Sequence, residues 1–399
     1  MHGVFNTERL AILFVVPYFE DAWGYGGIPR ACGLLARGLV ARGHRVTVCT
    51  TDAGDERSRA PARVGATDGL DVLVFPNRSN RAAYDWQLFL PVGLDAYLGK
   101  HAGRFDVAHI HGMRHLLGTM AARHLIRAGV PYVLQPHGTA ARIERRRALK
   151  WLFDVTVGGK VLAGARRVIA VSAAERGWLE RLGVSPSRLA VLPNPIEAPP
   201  SDVQVGASTF RRRLGADGAR ARLVVFLGKI TPRKRVDVLL RAFAALARSR
   251  PELALVIAGN EMGAGTDLRA LAERLGVSPR VHFTGLMTGA RRFEALAAAD
   301  LVAYPSEHEV FGLVPLEALG CGTPVLVSDD CGAGEIVARV GGGRAVPVAA
   351  PGALAVALGE MLDALPAWRT AAAGARTSLE ASFGRDVVAR QLESAYRAS

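Results

Sequence analysis

The sequence is short of cysteine, of aromatic residues and of long apolar runs, and each shortage closes off a class of protein. Its four cysteines, Cys32, Cys49, Cys321 and Cys331, form no CxxC pair and sit mostly inside apolar stretches. Reduced packing residues are therefore expected, with no disulfide framework and no metal site, as in a cytoplasmic protein. Aromatics make up 7% and do not interleave with the basic runs, so base-stacking platforms are missing and a nucleic-acid partner is not expected. No apolar run reaches the ~18 residues that cross a bilayer. The opening run LAILFVV has no basic leader and passes at once into loop residues, which predicts a buried first strand and not a signal peptide. Acidic residues are the minority charge, 36 against 50 Lys plus Arg, and the net +14 predicts attraction to phosphorylated ligands or an anionic lipid surface.

What is abundant is apolar: half of the 399 residues, enough for two cores and too many for one. Apolar strand-like runs alternate with longer helical patterns, first as LAILFVV, GIPRACGLLARGLVARG and RVTVCTT, then through DVAHIHG, PYVLQPHG, RVIAVS and RLAVLPNPI. After the proline-bearing stretch PNPIEAPPSD the rhythm restarts with RLVVFLG, LALVIAG, VHFTG, LVAYPS and TPVLVSD. Such βαβ alternation predicts an α/β protein of two doubly wound parallel sheets. The domains are expected at 1–197 and 198–382, with a final helix in 383–399 packing back on the first. Ligands bind such sheets at the carboxyl ends of the strands, so a cleft between the two domains is the expected site.

Residues 309–317 read EVFGLVPLE, two carboxylates on either side of an apolar run. Proline favours a first helical position, so Pro315 is expected to open a helix, with free N–H groups near Phe311, Gly312, Leu313 and Val314 ready for a phosphate. Glu317 then falls in the first turn, where simple complementarity to the helix dipole would explain it. Glu309 precedes the helix, and its plain explanation is a solvated loop acid. Upstream, FLGKITPRKR puts Lys229 and Lys234 just past a strand, placed to neutralise a diphosphate, and the chain has no DxD pair to hold a metal there. Arg233 and Arg235 read as a surface cluster. Near the amino terminus, Gly24, Gly26 and Gly27 in WGYGGIP would let the backbone approach a ligand at the next helix start. His109 and His111 in HIHG alternate along a strand, one expected to face inward and the other the cleft.

The stretch EVFGLVPLEALGCGTPVLVSD, with the GKITPRK and GYGG loops, resembles the retaining glycosyltransferases of family four, whose E-x7-E motif matches Glu309 and Glu317. The likeness covers nearly the whole chain. It implies the GT-B architecture of two facing Rossmann-like domains, the C-terminal one taking a nucleotide-sugar of UDP, GDP or ADP type and the N-terminal one the acceptor, with no cofactor or metal. By the same resemblance, Glu309 hydrogen-bonds donor-sugar hydroxyls and Glu317 the ribose hydroxyls, while the amides between them hold the β-phosphate. Lys229, where the family usually has arginine, and Lys234 stabilise the leaving diphosphate. Lys229 keeps the charge and loses the bidentate fork. Arg235 stands where the family often has glycine, Leu286 where the backbone reads the base, and Gly27, beside Gly26, where a loop glycine closes on the phosphates. His137 in QPHG resembles the active-site histidine near the transferred sugar. The implied chemistry is departure and attack on one face of the sugar, without a carboxylate nucleophile. The run RIERRRALKWLFD, with Arg142, Arg145, Arg146, Arg147 and Lys150 flanking Trp151 and Phe153, suits an anionic membrane face or a lipid-linked acceptor as well as it suits a solvated helix. Two rivals share the architecture: a nucleotide-sugar 2-epimerase and a non-catalytic sugar-nucleotide or lipid-binding module.

Overall fold

The computed structural model describes residues 9–20, 22–54, 58–60, 66–67, 69–141, 147–215, 221–347 and 351–398. The chain divides into two compact units, Met1–Pro195 with Arg385–Ser399, and Ile196–Gly384.

The first unit is built on β1 (Ala11–Val15), β2 (Arg45–Thr51), β3 (Ala66–Thr67), β4 (Leu70–Phe75), β5 (Val107–His111), β6 (Tyr132–Gln135), β7 (Arg167–Ala170) and β8 (Leu189–Val191). Their order is β3-β4-β2-β1-β5-β6-β7-β8. Every pairing is parallel except that of the two-residue β3 with β4. The six strand-like runs of this half become β1, β2 and β5 to β8. Only β4, whose LDVLVF is half exposed, and β3 lie outside that reading. Side chains alternate across each strand, so both faces build cores. One face packs Leu13, Val15, Ala108 and Ile110, and the other Ile12, Phe14, Val46 and Val107.

The helix Arg385–Arg397 belongs to this unit, laying Val388, Leu392 and Tyr396 on the second core. It runs against the helix Ile28–Ala41, and a Cβ on Gly38 would meet Ala389 Cβ at 2.7 Å, so glycine sets the spacing there. Arg42 closes the contact on the nearly buried Glu393 at 2.5 Å.

The second unit carries β9 (Arg222–Leu227), β10 (Leu253–Ala258), β11 (Val281–Gly285), β12 (Leu301–Tyr304), β13 (Val325–Ser328) and β14 (Gly343–Val346). Their order is β11-β10-β9-β12-β13-β14, all parallel. The chain winds outward from β9 to β11, then returns to the other side of β9 with β12. The switch point of this sheet is therefore between β9 and β12, and that of the first sheet between β1 and β5.

Candidate active site

In the second unit the switch point collects most of the charged groups singled out in the sequence. Gly228 and the half-buried Lys229 follow β9, and the single turn Pro232–Lys234 carries Lys234 into the interior. Lys234 donates from Nζ to Glu309 and to the hydroxyl of Tyr304, at the end of β12. Tyr304 in turn donates to Glu309 Oε2 at 3.0 Å, and the Lys234 ammonium lies 4.5 Å from the centre of its ring. Burial raises the Glu309 carboxyl, but Lys234, Arg233 and Tyr304 outweigh it and bring its pKa to about 2. Burial lowers the Lys234 ammonium, against the pull of Glu309. Glu309 is thus the acceptor of a buried ion pair and not a solvated loop acid. Arg235 is not a surface cation either: it pairs with Glu307 and adopts φ 48°, the left-handed region that glycine favours.

The short helix begins two residues earlier than proline placement predicts, at Leu313, and runs to Gly320. Gly312 initiates it at φ 79°, and a Cβ there would press on Ala333 Cβ at 2.8 Å. No side chain caps its first amides. A second helix, Gly332–Val340, starts beside it: Gly332 N donates to Glu309 O at 2.7 Å, and a Cβ on Gly332 would fall 2.0 Å from Val310 O. The 309–312 segment is wedged between two helix starts, the arrangement that collects anions. Phe311 turns its ring onto Phe383, centroids 5.9 Å apart. Because the helix starts at Leu313, Glu317 is its fifth residue and lies outside the first turn. Dipole complementarity therefore does not explain it. It is buried and faces the Arg292 guanidinium at 3.5 Å. Leu286 follows β11 and is exposed.

In the first unit the carboxyl ends of β5 and β6 carry the histidines. His109 and His111 lie two apart, and residues two apart on a strand share a face. The expectation that they point opposite ways is corrected: both are fully buried, their rings stacked 3.9 Å apart. His109 Nδ1 meets the Tyr396 hydroxyl at 2.7 Å, and His111 Nδ1 meets His137 Nε2 at 3.1 Å. His137 sits at φ 52° just past β6, and burial lowers its pKa to about 3, so it is a neutral imidazole. Gly26, at φ 91°, precedes Gly27, the ordinary right-handed N-cap of the helix Ile28–Ala41, and Gly24 lies in a single turn before them.

Sequence reasoning missed the residues that hold the loop after His137. Arg114 makes a two-pronged pair with the buried Asp154, at 2.9 and 2.8 Å, and also donates to the carbonyls of Thr139, Ala140 and Ala141. Glu175, fully buried, accepts from Gly138 N and from Val171 N at 2.8 Å, and burial raises its carboxyl to about 7. Nothing local marks Arg114 or Glu175; only the fold brings them to this loop. Among the described residues five non-glycines take left-handed φ, namely Glu20, Gln87, His137, Arg235 and His308. Three of them are His137 itself and the neighbours of Lys234 and Glu309. Such strain persists where surrounding contacts impose it, commonly at functional sites.

Of the basic run, Arg142, Arg145 and Arg146 lie outside the described residues. Arg147 opens the helix Arg147–Phe153, whose Trp151 is 53% exposed. No helix among the described residues is long and apolar enough to cross a membrane.

Two Rossmann-like units, one with buried histidines and the other with an ion pair at its switch point, define the GT-B class of fold. The model of the group 1 glycosyl transferases matches residues 210–367, and that of Glycosyltransferase Family 4 matches residues 25–198. A D-inositol 3-phosphate glycosyltransferase of Kineococcus radiotolerans is 32% identical over 430 residues, spanning 98% of this chain and 95% of the relative. The enzyme of that name in Acidothermus cellulolyticus is 31% identical, over 90% and 83% of the two chains. Among solved structures, HepE of Anabaena in complex with UDP and glucose superposes with a TM-score of 0.78 at 21% identity, covering 98% of this chain and all of HepE. WaaG, a glycosyltransferase involved in lipopolysaccharide biosynthesis, gives 0.68 at 21%, covering 97% of this chain and all of WaaG. The chain belongs to the family 4 retaining glycosyltransferases. It is an enzyme that transfers a sugar from a nucleotide-sugar, which sets aside the epimerase and the non-catalytic readings.

Proposed function

We propose that the second unit binds a nucleoside-diphosphate hexose at the β9/β12 switch point and that the sugar passes to a polysaccharide, lipopolysaccharide or glycolipid acceptor held by the first unit. The observation carrying this is the buried Lys234–Glu309–Tyr304 group set against two helix starts. Lys234 and Lys229 offset charge that grows on the leaving diphosphate, and an ammonium already desolvated and aimed does so without reorganising. The amides of Gly312, Leu313 and Val314 take the β-phosphate, Glu309 the sugar hydroxyls and Glu317 the ribose, while the backbone at Leu286 reads the base. Gly26 and Gly27 close on the phosphates, and no metal is needed. His137, neutral and fixed in a strained loop, offers a ring nitrogen to the transferred sugar.

A thermal-shift screen against UDP, GDP and ADP, with and without EDTA, tests the donor site. Stabilisation by one diphosphate at 100 times its Kd amounts to about 2.7 kcal/mol. It is expected to survive EDTA and to vanish in Glu317→Ala, and no shift with any diphosphate contradicts the reading.

A second acceptor reading, a small phosphorylated cyclitol, is favoured by the D-inositol 3-phosphate glycosyltransferases among its relatives. Product analysis with inositol phosphate against a lipid-linked glycan separates the two. The lipid-side reading has support in Trp151, Leu152 and Val155, all at least half exposed beside a basic run on a chain of net charge +14. The protein is expected to sediment with anionic vesicles and to stay in the supernatant once Arg145, Arg146 and Arg147 are replaced by glutamate. Equal sedimentation of both proteins rules out the basic run as a membrane contact.

A further inference from the structure

Three buried side chains from three separate elements of the first unit converge beside β5: Cys32 on the helix Ile28–Ala41, His111 at the end of β5 and His137 just past β6. One donor atom of each lies within 4.8 Å of the other two. Cys32 and His111 are fully buried and His137 is 7% exposed. The two imidazoles already approach as ligands of one ion do. His111 Nδ1 and His137 Nε2 are 3.1 Å apart, and two nitrogens each ~2.0–2.1 Å from a tetrahedral zinc-class ion stand ~3.3–3.4 Å from one another.

The polar atoms around them are short of protein partners. His109 Nε2, His111 Nε2 and both amide atoms of Gln135 are buried without a hydrogen-bond partner. Gln135 is the register partner of His111, and in a parallel pair such residues share a face of the sheet. Buried groups of this kind ordinarily find a partner, because leaving them unsatisfied is costly.

We propose that Cys32, His111 and His137 form a buried binding site for a thiophilic divalent cation of the zinc class, held by one thiolate and two neutral imidazoles. The mixed sulfur and nitrogen donors suit zinc-class ions and do not suit magnesium or calcium. Ligation takes both rings as neutral imidazoles and the thiol as a thiolate, and the ion's own charge drives loss of the thiol proton. The balance is one proton released to solvent, from Cys32. The proton shared between His111 Nδ1 and His137 Nε2 moves to the other nitrogen of its ring. Three protein ligands leave a fourth position open. The consequence for catalysis rests on the role of His137 proposed above: its Nε2 becomes a metal ligand, so the ion acts as an inhibitor and not as a cofactor.

The test is a Co2+ titration of the full chain, followed in the near ultraviolet for thiolate-to-cobalt charge transfer. One equivalent is expected to raise the band, and Zn2+ to abolish it. Cys32→Ala and Cys32→Ser, each shown folded by circular dichroism, are expected to lose it. A wild-type protein without the band, or a band kept by both variants, overturns the site. Turnover is read alongside: one equivalent of Zn2+ slows the wild-type enzyme several-fold, reversibly with EDTA, and does not slow Cys32→Ala further. A Cys32-dependent band with unchanged wild-type turnover keeps the cation site and removes His137 from the transfer step.

Discussion

Lys234→Ala is expected to lower kcat by roughly 100- to 1,000-fold, the scale seen when one preorganised donor to a developing charge is removed. The donor KM should change far less, because the ammonium acts on charge that grows as the diphosphate leaves. The same change has a structural cost. Glu309 is held ionised mainly by Lys234, and breaking a buried pair by deleting one partner costs about 3–5 kcal/mol. Pairing Lys234→Met with Glu309→Gln separates the effects, since it removes both charges: stability should largely return while turnover stays low. Kinetics with saturating donor, beside denaturant unfolding of the same preparations, read both. Normal turnover in Lys234→Ala contradicts the assignment.

The second large effect is expected at Arg114, which sequence reasoning does not flag. Its guanidinium satisfies Asp154 and three carbonyls of the loop following His137. Arg114→Ala leaves a buried carboxylate and unpaired carbonyls, a loss of about 3–5 kcal/mol. For a unit of this size that lowers Tm by roughly 10 °C. Arg114→Lys keeps the charge and loses the fork, so it should fall between the two. Combining Arg114→Met with Asp154→Leu should recover the part of the stability lost to the unpaired carboxylate and leave kcat/KM low, because the loop carbonyls still lack their anchor. Full recovery of kcat/KM in that double variant would make Arg114 a purely stabilising residue.

The contrast between Lys234 and Arg114 shows what a linear pattern carries. Strands that are buried on both faces read as continuous apolar runs, which is why β1, β2, β5 to β7, β9, β10, β12 and β13 are legible; β8 and β11, at sheet edges and half-exposed, are legible from the alternation of strand-like and helical runs. Edge and near-edge strands have weaker signals: β4 carries Asp71 and is half exposed, and β14 is only GRAV. Local spacing marks Glu309, Glu317 and Lys234, because loops at strand ends announce themselves with glycine, proline and charge. It misplaces the helix start, since Pro315 is tolerated as the third residue of a helix that Gly312 initiates. It also misjudges the HIH pair, where strand periodicity puts both rings on one side.

The sequence by itself determined the two wound units and the family, because alternation, turn chemistry and short motifs act over a few residues at a time. Tertiary structure alone decided the partners. Lys234 and Glu309 are 75 residues apart, Arg114 and Asp154 are 40, and His109 and Tyr396 are 287. Whether a carboxylate is a solvated acid or the anion of a buried pair, and whether a cysteine is packing or a ligand, depends on desolvation by neighbours that the chain supplies from elsewhere. Spacing cannot encode that, because burial is a property of the folded whole.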